Sequence, residues 1–222
     1  MSTATLAPQN RLDSPVTTAE QPVIAVKRRT IDSVLIAFGV VAMAVFAVAG
    51  GLLTWGHNFS DDYVTKELSS QNITFPTAEK LTAEGRTDLL EFAGNRLDTG
   101  DEAEAYASYI DGHLQEVAGG ATYADLGAPE SAAKAEVKAA TEAGQPQAQI
   151  DELQTKADVI SGQRNTLFKG ETLRGLLLSA YAWSTVGMIA GIAAIGAFVA
   201  AGIMAVLVAL GLVHHRRTVK TA

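Results

Sequence analysis

Apolar positions along the chain fall into two very different patterns. From Val34 to Trp55 and again from Gly175 to Val213 the chain carries uncharged, mostly apolar runs of 22 and 39 residues. Both exceed the roughly 18 residues at which a run reads as a membrane span. Elsewhere the apolar residues recur at helical spacing of three and four, and no alternating strand pattern of useful length occurs. The pattern predicts an all-α protein: two transmembrane helices joined by a helical extracytoplasmic domain.

The 39-residue run as one helix would reach about 58 Å, nearly twice a ~30 Å hydrocarbon core. Two spans with a tight turn would just fit. No Pro or Asn-Gly marks such a turn, however, and two spans would move Arg216 and Arg217 outside. One span entered from a helical stem is the preferred reading, with Tyr181 and Trp183 as aromatic anchors at the outer interface and Trp55 as the anchor of the first span. The expected division is a disordered cytoplasmic tail over 1–30, span one over 31–56, the exported domain with its stem over 57–182, span two over 183–213 and a basic tail over 214–222.

Within the exported segment, His57 to Gln71 reads as an outward extension of the first span, broken by Asn72-Ile73-Thr74 and Phe75-Pro76. Short helices follow over 77–84 and 86–93, each ending at a glycine, Gly85 and Gly94. A longer helix opens near Asp101, with Asp101 and Glu104 as a capping-box-like pair, carries a stripe of Tyr106, Ile110, Leu114 and Val117, and closes at Gly119-Gly120. Residues 123–127 read as a linker, Pro129 as a first helical position, and 132–143 as an Ala-rich helix stopped by Gly144. From Pro146 a last helix rises toward the second span along Ile150, Leu153, Ala157 and Ile160, with Arg164 interrupting the stripe before Leu167. It should pack against the helix leaving span one, with the shorter helices folded over the pair.

Charge sets the orientation. The net charge of -7 divides into 21 acidic against 10 basic residues over 57–182, a balance of -11, and 3 acidic against 7 basic elsewhere, a balance of +4. Lys27, Arg28 and Arg29 precede the first run, and Arg216 and Arg217 follow the second. Basic clusters beside spans stay cytoplasmic, so both termini are expected inside the cell membrane and the acidic loop outside. The first run also has the look of a secretory signal, with Ala47-Val48-Ala49 as a small-residue cleavage site. An uncleaved anchor is preferred because the apolar run continues to Trp55 and the preceding tail is long for a signal.

The chain contains no Cys, which excludes disulfides, a lipidated cysteine anchor and thiolate chemistry. No phosphate loop, dinucleotide fingerprint, nucleophile elbow or HExxH is present. The acidic surface argues against nucleic acid as a partner. His57 with Asp61 and Asp62 is a weak candidate cation site, since two ligands rarely suffice. No catalytic residue, cofactor-binding residue or cofactor is assigned. For helix packing the candidates are Gly187 and Gly191, the alanines Ala193, Ala197, Ala201 and Ala205 spaced by four, and Ala47 with Gly51 on the first span. The expected partners are the lipid bilayer and another membrane protein or a second copy of this chain.

Several phrases carry a resemblance: Leu52-Leu53-Thr54-Trp55-Gly56, Asp61-Asp62-Tyr63-Val64, Ala105-Tyr106-Ala107, and Thr166 through Gly175. Through them the chain resembles, over about residues 30 to 217, an actinobacterial family of uncharacterised two-span membrane proteins. Some members carry an aromatic ring-opening dioxygenase label. Such chemistry needs non-haem iron held by His and carboxylate ligands, a set that His57 and His113 do not complete. The resemblance and the residues together point to a non-catalytic accessory or structural membrane component that associates laterally. The alternative is an extracytoplasmic sensor signalling through a partner.

Overall fold

A computed structural model describes residues 28–220. Lys27, the tail ahead of it and the last two residues of the chain lie outside the described part. Helix accounts for 84% of the structure, with no strand among the described residues, as the 3–4 periodicity requires. Five α-helices follow one another: α1 Arg28–Ser70, α2 Ala78–Ala83, α3 Gly100–Val117, α4 Gly127–Glu142 and α5 Gln147–Lys220, with a 3-10 helix Thr87–Phe92 between α2 and α3.

Two of these dominate. Helix α1 has 43 residues and α5 has 74, and both are long and apolar enough to cross a membrane. The most apolar window of each reaches a mean hydropathy of 2.5 and 2.6, yet only 11% of it is buried. A helix of a soluble core would show the opposite, since it buries what is apolar. The whole 39-residue run lies inside α5 without a turn, so the three-span arrangement has no counterpart here. The divisions expected at 56/57, 182/183 and 213/214 likewise fall inside unbroken helices. Composition changes at those points, but the backbone hydrogen-bond ladder does not.

The extra length of the second apolar run has a packing explanation. Leu177 belongs to a buried cluster with Val64, Leu68, Phe75, Leu97, Ala103 and Ala107, with Ala180 against it. Leu177 and Ala180, near the start of the run, therefore serve a protein core. Beside this cluster, Leu81, Leu89 and Tyr109 form a second small core under α2 and the 3-10 helix. Phe75 links the two, its ring 5.4 Å from Phe92 and 5.1 Å from Tyr106.

The local signals place most element ends. Gly85, Gly94, Gly119, Gly120 and Gly144 all have positive φ, the conformation that ends a helix and that costs glycine least. Ser70 ends α1, and Asn72 follows at φ 50. There Arg96 donates to the Ser69 carbonyl at 2.7 Å and to Asn72 Oδ1 at 3.0 Å, a cation at a helix C-terminus. The short helix expected over 86–93 is present as a 3-10 helix, Thr87–Phe92. Two details differ from the sequence reading. Helix α4 starts at Gly127, so Pro129 occupies its third position, where an N–H is still not needed. The cap of α3 is Thr99 with Glu102, two residues before the expected Asp101 and Glu104.

Candidate functional site

Helices α1 and α5 run antiparallel, and the side chains between them are unusually small. A Cβ built on Gly187 would lie 2.8 Å from Ser60 Cβ, one on Gly50 2.9 Å from the Phe198 ring, and one on Gly39 2.8 Å from Val208. These glycines are required by close backbone approach rather than by turns. From Gly187 onward the buried positions of α5, Gly187, Ala194 and Ala201, recur at seven. Seven residues fall ~20° short of two full turns of an α-helix, the repeat on which left-handed 3–4 packing rests.

At the outer part of the seam two polar side chains of α1 reach across to the α5 backbone. The Ser60 hydroxyl donates to the Trp183 carbonyl at 2.5 Å, and His57 Nδ1 lies 2.9 Å from the Gly187 carbonyl. A carbonyl only accepts, so Nδ1 carries the imidazole proton. Gly191 faces the same ring, where an added Cβ would sit 3.2 Å from His57 Cγ. The Gly187/Gly191 pair thus makes room for a two-point clasp. Ser60 is 2% exposed, which makes its hydrogen bond necessary, since a buried unpaired hydroxyl is costly.

The expected site residues distribute as follows. Gly187, Gly191 and Ala201 lie in the seam, Ala197 is half-buried beside it, and Ala193, Ala205, Ala47 and Gly51 are exposed. Nothing lies within 4 Å of a Cβ added to Gly51. Steps of four advance ~40° past a full turn, so the alanine row curls away from a seam that steps by three and four. Trp55 is 67% and Trp183 49% exposed, whereas Tyr181 is half-buried and its backbone lies near Gly100 of α3. His57 lines a groove of about 560 Å³ with Asp61, Thr54 and Ser184, but Asp62 is not among its walls. No group of three residues able to hold a metal ion occurs among the described residues. Arg28 and Arg29 open α1, while Arg216 and Arg217 lie in the last turns of α5, with Arg216 exposed.

Two polar clusters join the small helices to α5, and neither is apparent from the sequence pattern. Arg164, which interrupts the apolar stripe, donates to Glu130 at 2.6 Å and to the Tyr123 carbonyl at 3.3 Å, and lies 4.1 Å over the Tyr123 ring. Glu130 also accepts from Lys134 at 2.7 Å and Ser161 at 2.9 Å. Those bonds, from Lys134 first and then Arg164 and Ser161, pull its pKa down from 4.5 to about 2. Nearby, Arg174 bridges Asp111 at 3.3 Å and Glu171 at 3.1 Å. These three line a cleft of about 600 Å³ with Gln115, Thr122 and Tyr123. His113 stays outside it, edge-on to the Tyr109 ring at 4.6 Å. A 3–4 reading of α1 through Gly39, Met43, Gly50, Leu53, His57, Ser60 and Val64 would have located the seam. The Arg164–Glu130 contact spans 34 residues of chain, and no local spacing announces it.

Comparison with protein-family models, curated proteins and solved structures finds no match to this chain.

Proposed function

We propose that this protein is a non-catalytic integral membrane component: a two-span hairpin that holds an acidic helical domain outside the cytoplasm and associates laterally within the bilayer. The observation that carries this reading is the contrast between the seam and the outer surface of the α1–α5 pair. The seam is tight and glycine-lined, while the outward faces are apolar and exposed. Phe38 is 71%, Leu52 64%, Ile192 66% and Ile195 67% exposed, a surface suited to lipid and costly in water. The basic residues at the start of α1 and the end of α5 support an orientation with both termini inside.

Lateral association is supported by small residues that the hairpin does not use. Ala47, Gly51, Ala193 and Gly196 remain exposed, and such positions allow a neighbouring helix to approach closely. Purification from native membranes in mild detergent, with crosslinking, tests this. A neighbour crosslinked through a cysteine placed at Gly51 supports it; a strictly monomeric chain with no neighbour opposes it.

One observation favours a second reading, an extracytoplasmic sensor. The cleft of Asp111, Glu171 and Arg174 sets both charges in a partly apolar pocket of small-molecule size. A ligand-dependent rise in melting temperature, abolished by Arg174→Ala, would favour that reading over the structural one.

A further inference from the structure

Helix α1 carries an exposed aromatic series outside the α5 seam, whose last ring, Tyr63, borders a groove shared with α5. Trp55 and Phe59 stack at 5.6 Å between ring centroids, and Phe59 and Tyr63 at 6.2 Å. All three are about half exposed or more, at 67%, 52% and 48%. The series continues a stripe that begins far below it: Val41, Val45, Val48 and Leu52, at steps of four, three and four, are 59–64% exposed. Tyr63 and Trp183 border one groove, together with Leu173 and Leu176. This face is left uncovered, because the N-terminus of α3 packs elsewhere on α5, at Ser184 and the Tyr181 backbone.

We infer that this face beyond Trp55 rests in the headgroup layer of the membrane, so that the exported domain leans on the bilayer on one side. This deepens the membrane reading and rests on it. Continuity identifies the occupant: the exposed apolar stripe passes from Leu52 to Tyr63 without a break, so the solvent that covers its lower part also meets its upper part. Chemistry changes along it as an interface demands, from aliphatic residues through Trp and Phe to Tyr, with Asp62 and Lys66 as its polar neighbours in the chain. Heights agree as well. Ser60, bonded to the Trp183 carbonyl, is five residues past Trp55, so Trp183 lies about 8 Å farther out. A headgroup layer is roughly 5–8 Å deep. Phe59 is about 6 Å beyond Trp55 along the helix and falls within that depth, while Tyr63, about 12 Å beyond, marks where the face leaves it.

The chain holds only two Trp, so single-tryptophan proteins are easily made. Trp55→Phe leaves Trp183 as the reporter, and Trp183→Phe leaves Trp55. Each is reconstituted in phosphatidylcholine vesicles containing lipid brominated at a shallow or a deep acyl position, and each is also exposed to aqueous iodide. The inference expects Trp183 to lose more emission to shallow than to deep bromine and little to iodide, with Trp55 quenched by the deeper label. Iodide quenching of Trp183 without lipid quenching overturns it, placing that face in water. Quenching by neither also overturns it, in favour of a protein partner or second copy on the face. If Trp55 itself responds only to iodide, the membrane reading fails and the inference with it. Phe59→Trp in a chain lacking both native tryptophans adds an intermediate depth, and lipid quenching between those of Trp55 and Trp183 is expected there.

Discussion

At the residue scale, fit between atoms decides which glycines matter. Gly187 and Gly51 are both glycines in apolar helices, yet an added methyl would press on Ser60 at one and meet open space at the other. Gly187→Ala should separate the helices, weaken the His57 and Ser60 bonds to α5, and cost about 1–3 kcal/mol. Gly51→Ala should leave hairpin stability unchanged or slightly raised, because alanine is the better helix former. Unfolding of both variants in detergent distinguishes them. The α3 cap offers a second test. Glu102 accepts from the Asp98 and Thr99 backbone at 3.0 Å each and from the Thr99 hydroxyl at 2.9 Å. Burial opposes its charge, but these bonds outweigh burial and hold its pKa below the ordinary 4.5. Thr99→Ala should destabilise the domain by about 1 kcal/mol, read as a lower melting temperature.

At the scale of elements, α4 is a 16-residue helix whose buried residues are all alanine. These are Ala133 and Ala140, and alanines supply little buried area. Its docking therefore depends on Glu130, and Glu130→Gln or Arg164→Ala should raise amide exchange throughout α4 while α1 and the lower half of α5 stay protected. The pH dependence has a definite sign. A carboxylate whose pKa is depressed on folding stabilises fully above its unfolded value near 4.5, and that stability fades as pH falls from there toward about 2. Loosening of α4 in that window, absent in Glu130→Gln, is the expected result. These contacts also mark the limit of what the chain's pattern reveals. Glycine stops, the break at Asn72 and the two apolar runs are local, and each was legible. The α3 cap moved by two because Asp101, Glu102 and Glu104 all suit a helix N-terminus, and only hydrogen bonding selects among them. The alanine row at spacing four was visible, but which face met α1 depended on a partner more than a hundred residues away. Arg164 read as a break in the α5 stripe because its partner Glu130 lies on another helix.

At the scale of the whole molecule, the two long helices form a single axis, which under the proposed topology is shared by bilayer and exported domain. The seam that carries Gly39 and Gly50 continues through His57 and Ser60 to Val64 and Leu68, so no hinge separates the spans from the domain above. Force or displacement at the exported helices should therefore be transmitted along α5 rather than absorbed in a linker. The reading as a hairpin with an acidic outside and basic inside is most directly tested by site-directed labelling. The chain is free of cysteine, so single cysteines can be placed at Ser2, at exposed Ala135 on α4 and at Ala222, and intact cells treated with a membrane-impermeant maleimide. Labelling at 135 alone, with 2 and 222 reacting only after the membrane is opened, is the predicted result. Protection of 135 in intact cells, or reaction of either terminus there, would contradict it.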